Sequence, residues 1–181
     1  MAKILLLVFT LGIVLFIFIL DDRNIGMNFY AYKSVMAFVD IPFSLAIDPI
    51  LRKKSYRYCY KGFYFICILS SLLLVSVKMI DKHDVFGKFW PESFWSILIL
   101  SLIGRGAVCA LWNLCYILMA VHMPGGIRAT TLGIAGGVAF LGGAAAPGIL
   151  LTTAISSYFP DVICLVAMVF TYFVTYDIPE P

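Results

Sequence analysis

The sequence predicts an all-α membrane protein, a single bundle of six transmembrane helices occupying residues 1–181. Three observations carry that prediction. Hydrophobic residues make up 62% of the chain and charged residues only 13%, against about 25% charged in an ordinary soluble domain. Apolar runs recur six times, each near the roughly 20 residues that a helix needs to cross a bilayer. Eight of the fourteen glycines fall between Gly125 and Gly148, six of them inside one of those runs. Glycine costs a soluble helix about 1 kcal/mol against alanine, whereas in a bilayer small residues let two helix backbones approach closely.

The first span, about Ile4–Leu20, follows Lys3 and stops at Asp21-Asp22-Arg23. Its 17 apolar residues exceed the core of a signal peptide, roughly 7–15 residues, and Leu20-Asp21-Asp22 offers no small-residue cleavage site. It is read as an uncleaved span. The second span, about Asn28–Ile47, carries Lys33 and Asp40, with Pro42 two residues later and Pro49 closing the helix. The third is about Gly62–Ile80. The fourth, Phe94–Val121, is long enough to tilt. The fifth, about Ile127–Ile155, holds the glycine run. Ala135, Ala139 and Gly143 recur every four residues there, and Gly133 and Gly137 form a second row. Such rows suit a close helix crossing, and Pro147 can kink the helix. Static packing and rocking motion both fit. The sixth span, about Pro160–Tyr176, opens on a proline suited to a first helical turn. The short connections leave no room for a soluble domain.

Loop charges set the orientation. With the N-terminus inside, the inner side holds Lys3, Arg52, Lys53, Lys54, Arg57, Lys61 and Arg128, and the outer side only Arg23, Lys78, Lys82 and Lys88. Both termini are therefore predicted to be cytoplasmic in a multi-pass protein, with the plasma membrane as its expected location. The loop Lys78–Ser93 is the longest external segment. The net charge of +3 is too small to suggest nucleic acid as a partner. The lipid bilayer is the first partner. The five cysteines lie mostly in apolar runs without metal-ligand spacing and read as small buried hydrophobes.

A charge deep in a span costs at least about 2.5–3.5 kcal/mol and normally faces the bundle interior. Lys33 and Asp40 are seven residues apart, nearly two turns, so they share a face about 10 Å apart along the axis. Lys33 can share a wet cavity with Asp40 or snorkel to the surface. Asp40 is deeper, and two roles are open to it: lining a polar pathway, or pairing with a basic residue of another helix. Pro42 frees a backbone carbonyl that must be satisfied by protein or cavity water, which makes the neighbourhood attractive to cations. Arg105, between Gly104 and Gly106, reads as a structural ion pair or a snorkelling group ahead of a direct substrate contact. Trp112, Asn113 and Tyr116 follow on the same helix, and Asn113 and Tyr116 share a face. Aromatic rings plus one amide suit a small organic solute, and equally suit packing with one interhelical hydrogen bond.

Catalytic patterns are missing. His83 and His122 have no partner at catalytic spacing, and the sequence holds no His-Glu-x-x-His, Gly-x-Ser-x-Gly, Cys-x-x-Cys or phosphate-cradling loop. The glycines do not follow a strand, as a nucleotide fingerprint requires. An enzyme, a metal and a cofactor are not expected.

The residues do follow a family order. Gly104-Arg105, Met123-Pro124, Ile127-Arg128-Ala129-Thr130, Gly133, Leu141-Gly142-Gly143, Pro147 and Ile178-Pro179-Glu180 together resemble the organic cation and anion transporter branch of the major facilitator superfamily. Asn28-Phe29-Tyr30 and Val39-Asp40-Ile41-Pro42 are similar to its eighth helix, and Ile47-Asp48 with Arg52-Lys53 to its following Asp-Arg-x-Gly-Arg-Arg loop. The resemblance implies the C-terminal half, helices seven to twelve, of a twelve-helix alternating-access fold. It covers nearly the whole chain.

The chain departs from that pattern in several places. Val121 stands where the family has glutamate, Met123-Pro124-Gly125 replaces Tyr-Pro-Thr, Pro49 and Leu51 replace an arginine and a glycine of the loop, and Pro181 replaces a threonine. Phe140-Leu141 stand where cation carriers have aspartate and anion carriers arginine. Asp40, matching a glutamate of the family, points toward cations, as does Asn113.

The expected function is transport of small organic solutes, organic ions among them, through half of a facilitator. Asp40, Trp112, Asn113, Tyr116 and Phe140 are the expected cavity residues. Lys33 and Arg105 are expected at structural positions, and Asp48, Arg52 and Arg128 at a cytoplasmic gate held by charge contacts. A half cannot enclose a cavity, so the chain is expected to be a fragment joined to an N-terminal six-helix half, or to pair with another half-transporter. The alternative is a degenerate, non-transporting half that acts as a membrane assembly partner or regulator.

Overall fold

The computed structural model describes residues 2–20, 29–82, 93–154 and 158–175. Six α-helices follow one another: α1 (Ala2–Leu20), α2 (Phe29–Lys53), α3 (Tyr56–Lys82), α4 (Ser93–His122), α5 (Gly125–Leu150) and α6 (Phe159–Thr175), with a 3₁₀ turn at Leu151–Ala154 after α5. No strand occurs among the described residues. Five of the helices are long and apolar enough to cross a membrane, and α6, with 17 residues, is apolar but shorter. The span limits Asn28, Ile155 and Tyr176 lie outside the described residues, as do Arg23, His83, Lys88 and the terminal Ile178-Pro179-Glu180.

Several helices run further than hydropathy suggests. α2 does not close at Ile47 but continues through Pro49 to Lys53, and α3 begins at Tyr56 instead of Gly62. The basic cluster expected in one loop is therefore mostly helical. Arg52 and Lys53 form the last turn of α2, where positive charge meets the negative end of the helix dipole. Arg57 and Lys61 lie in the opening turns of α3. Only Lys54 and Ser55 connect the two helices. The Lys54 amide donates to the carbonyl of Ile50 at 2.8 Å, and the Tyr58 and Cys59 amides donate to that of Ser55 at 3.0 and 3.2 Å. Similarly, α3 extends to Lys82, so Lys78 is not part of an external loop. Its side chain is buried.

α1 and α4 form the centre. Leu7, Leu11 and Val14 of α1 and Ala107, Val108, Ala110, Leu111 and Leu114 of α4 are fully buried. α1 packs on α5, α6 and α4, and α4 packs on α3, α2 and α1. The pairs obey a rule. Moving three helices along the chain turns α1–α5 into α4–α2 and α3–α4 into α6–α1, while α1–α4 and α3–α6 map onto themselves. These pairs are thus related by a shift of three helices, while α4–α5 has no counterpart of similar extent in α1–α2.

Direction follows from paired residues. Asp40 meets Arg105, and Ser44 meets Cys109 and Asn113, so α2 runs with α4. Tyr56 meets Leu114 while Ser70 lies against Gly104, so α3 runs against α4. Lys78 meets Asp161 while Tyr60 meets Thr175, so α6 runs against α3. Lys33, in the first turns of α2, donates to the carbonyl of Ile19 near the end of α1. It supplies a cation and a donor where α1 runs out of its own.

The glycine helix packs on one face. Thr131, Ala135, Ala139, Gly142, Gly143 and Ala146 are buried. A methyl group on Gly142 would collide with the carbonyl of Phe9, and one on Gly12 with the carbonyl of Ala139. The helix backbones of α1 and α5 touch there, which only residues without a side chain permit. The second row behaves differently. Gly133 and Gly137 are exposed, with open space where a Cβ would stand.

Several polar side chains inside the bundle find partners on neighbouring helices, which hydrocarbon surroundings favour. The Thr10 and Thr171 hydroxyls are 2.9 Å apart, and those of Tyr60 and Thr175 2.6 Å. The Tyr56 hydroxyl donates to the Leu114 carbonyl at 3.2 Å. Tyr56, Tyr60, Tyr64 and Tyr172 line up ring to ring, with centroid separations of 6.3, 5.0 and 5.5 Å. The tyrosine contacts bind α3 to α4 and α6, and the threonine pair binds α1 to α6.

Candidate functional site

α4 is buried on two sides and half-buried on a third. That third side carries Arg105, Cys109, Trp112, Asn113 and Tyr116, at spacings of three and four residues that stack them on one helical face. α2 lies along the same face. Only 11% of its spanning stretch is buried, against 56% for α4, so this one contact largely places it. Gly106 makes the contact close: a side chain there would collide with the Phe43 ring.

Two polar rungs cross from α2 to α4. In the first, the Arg105 guanidinium donates to one carboxylate oxygen of Asp40, from Nη2 at 2.8 Å and from Nε at 3.3 Å. The pair is partly shielded, with 13% of the Arg105 side chain and 23% of the Asp40 side chain exposed. The other oxygen, Oδ1, is buried and has no hydrogen-bond partner among the described residues. One turn further along α2, Ser44 Oγ accepts from Asn113 Nδ2 at 3.0 Å and lies 3.7 Å from Cys109 Sγ, residues two turns and one turn beyond Arg105 on α4. Of the two roles open to Asp40, the ion pair with another helix is thus present. The pairing expected of Arg105 is present too.

The aromatic groups continue the face. Trp112 and Tyr116 have ring centroids 5.7 Å apart. The Tyr116 hydroxyl comes within 3.7 Å of where a Cβ on Gly136 of α5 would be, so α5 closes that end. Phe140 is 66% exposed, with its edge against Phe16 of α1 at 6.4 Å.

The expected gate residues are not brought together. Asp48, Arg52 and Arg128 are all exposed, and no ion pair joins them among the described residues. Arg128 instead reaches the Met123 carbonyl at 3.5 Å, at the C-terminal end of α4. Lys33 and Asp40 share α2 without pairing, since Lys33 is held by Ile19 and Asp40 by Arg105.

Sequence reasoning missed two features. Ser44 and Cys109 complete the second rung, and their signal was readable: Ser44 is four residues after Asp40, and Cys109 and Asn113 are four and eight after Arg105. The buried ion pair of Lys78 and Asp161, 2.6 Å apart with side chains 5% and 8% exposed, had no such signal. Asp161 lies in the first turn of α6, where the helix dipole favours an anion. Among the described residues, no group of three or more His, Cys, Asp or Glu could hold a metal ion.

No family model matches the chain, and no curated protein matches it significantly.

Proposed function

We propose that this chain forms half of a membrane transporter for small organic solutes, and that the α2–α4 face carries the solute path. The single observation behind this reading is the polar and aromatic stripe from Arg105 to Tyr116, left half-buried at membrane depth beside a loosely packed α2. Polar groups in a span are costly and normally face the bundle interior or a wet cavity. A stripe serving only adhesion would be sealed as fully as the Thr10–Thr171 and Tyr60–Thr175 contacts are.

Two further features support the reading. The packing plan repeats after three helices, an odd number, which places the second unit upside down relative to the first when successive spans alternate. Nested repeats of that kind build each half of major facilitator transporters, with substrate sites near the bilayer midplane. The ordered motifs from Gly104 to Pro147 resemble the organic ion branch of that superfamily. On this reading the chain is a multi-pass protein of the plasma membrane with both termini cytoplasmic. Its partners are the bilayer, the solute and a second six-helix half, and it performs no catalysis.

A second reading has its own observation. Asp48, Arg52 and Arg128 form no gate contacts among the described residues, as in a degenerate half that only assembles with or regulates another membrane protein. Uptake separates the two. Labelled cations, anions and neutral aromatic amides are offered to cells expressing the complete coding product, with surface expression quantified. Transport predicts uptake of at least one class, and an Asn113→Leu variant at equal surface level should lose it about ten-fold, the cost of one hydrogen bond of roughly 1–1.5 kcal/mol. No uptake of any class by protein present at the surface contradicts the transporter reading and favours the second.

A further inference from the structure

Resting on that reading, we infer that the solute accepted by the α2–α4 face is an uncharged aromatic molecule with a hydrogen-bonding group, and not an organic ion. Asp40 and Arg105 are the two formal charges on this face at membrane depth, and they cancel. Arg105 directs both Nη2 and Nε at a single carboxylate oxygen. The second oxygen is occluded from any approaching molecule. A cation would therefore meet a carboxylate whose charge the guanidinium already neutralises, and an anion would have to compete for Arg105 with a carboxylate 2.8 Å away.

Among the described residues, no other charge substitutes. The Lys33 ammonium is at the Ile19 carbonyl near the end of α1. Lys78 and Asp161 are paired with each other between α3 and α6. Asp48 is exposed about 12 Å further along α2, close to Arg52 and Lys53. What α4 and α5 do present is neutral: the Trp112 and Tyr116 rings, the Asn113 amide and the Phe140 ring. An amide that donates and accepts, set among aromatic faces, recognises a flat neutral ring with an amide or hydroxyl group. A charged solute would lose its hydration there without an opposite charge to replace it.

The pair then acts as a charge mask, and its removal should change selectivity in a defined direction. Arg105→Gln leaves the Asp40 carboxylate unmasked and should admit cations. Asp40→Asn leaves the guanidinium unmasked and should admit anions. The test uses three photoactivatable benzophenones with the same ring system, bearing a carboxamide, a trimethylammonium or a carboxylate. Membranes from cells expressing the complete coding product are irradiated at equal free probe concentration. Labelling is read at the peptide carrying Trp112 to Tyr116, counting only the portion abolished by excess non-photoactive carboxamide analogue, so that partition into lipid does not contribute.

The carboxamide is expected to label at least ten-fold more than either ion. Arg105→Gln should raise cation labelling about ten-fold, and Asp40→Asn should do the same for the anion. Wild-type labelling by either ion equal to that of the carboxamide would overturn the inference, as would no competed labelling by any probe. Uptake of an organic ion, with the ion also labelling the stripe, would leave the transporter reading intact and remove only the neutral-solute assignment. Absence of all uptake would remove the transporter reading itself.

Discussion

Gly142→Ala should destabilise the bundle by roughly 3 kcal/mol, the upper range for forcing added volume into a packed site. The added methyl group would meet the backbone of α1, not a movable side chain: it collides with the Phe9 carbonyl oxygen and stands 3.2 Å from its carbon and 3.3 Å from the Ile13 nitrogen. Relief requires α1 and α5 to separate along a contact that also includes Gly12 and Ala139. Gly137→Ala provides the opposite sign on the same helix. A methyl group there enters open space, and alanine is the better helix former by up to about 1 kcal/mol. Thermal unfolding of the detergent-solubilised protein checks both. At about 2–4 °C per kcal/mol for a chain of this size, Gly142→Ala should lower Tm by about 6–12 °C, while Gly137→Ala should leave it unchanged or slightly raised. Equal effects at the two positions would contradict the assignment of a single packing face.

The second large effect is expected at Lys78 and Asp161. Removing one partner of a buried pair takes the counterion from the other charge, at a cost of about 3–5 kcal/mol, whereas replacing both with apolar groups of similar size is often neutral or stabilising. Lys78→Met alone and Asp161→Leu alone should each cause that loss. The double variant should recover to within about 1 kcal/mol of the parent. The geometry supports the expectation, because the side chains are 5% and 8% exposed and 2.6 Å apart. The same scan of Tm measures it. Additive losses in the double variant would mean that each charge is satisfied by groups other than its partner.

The apolar runs made the six helices legible, because spanning length is a property of composition along the chain. Their ends were less so. Hydropathy falls at Ile47 and rises again at Gly62, but the helices continue through Arg52, Lys53, Arg57 and Lys61, since polar residues beyond the hydrocarbon can stay helical. The row Ala135, Ala139 and Gly143 correctly marked a close crossing. Nothing local distinguished it from Gly133 and Gly137, because which face of α5 meets α1 is decided by the rest of the bundle.

The site shows the same division. The shared face of Asn113 and Tyr116 is a matter of helical period. The partnership of Asp40 with Arg105 depends on the register of α2 against α4, which Gly106 and Phe43 fix across 63 residues of chain. Lys78 looked like a loop residue because its partner lies 83 positions away.

The claim that the α2–α4 face is a water-accessible path can be tested without any substitution. Cys109 lies on that face and is half-buried, whereas Cys59, Cys67, Cys115 and Cys164 are buried elsewhere in the bundle. Membranes carrying the protein are treated with iodoacetamide, a small uncharged thiol reagent that dissolves in water, and labelled cysteines are identified by mass spectrometry. Cys109 is expected to be modified well ahead of the other four. If Cys109 stays unmodified until the protein is denatured, the stripe is dry and the solute path does not run along it.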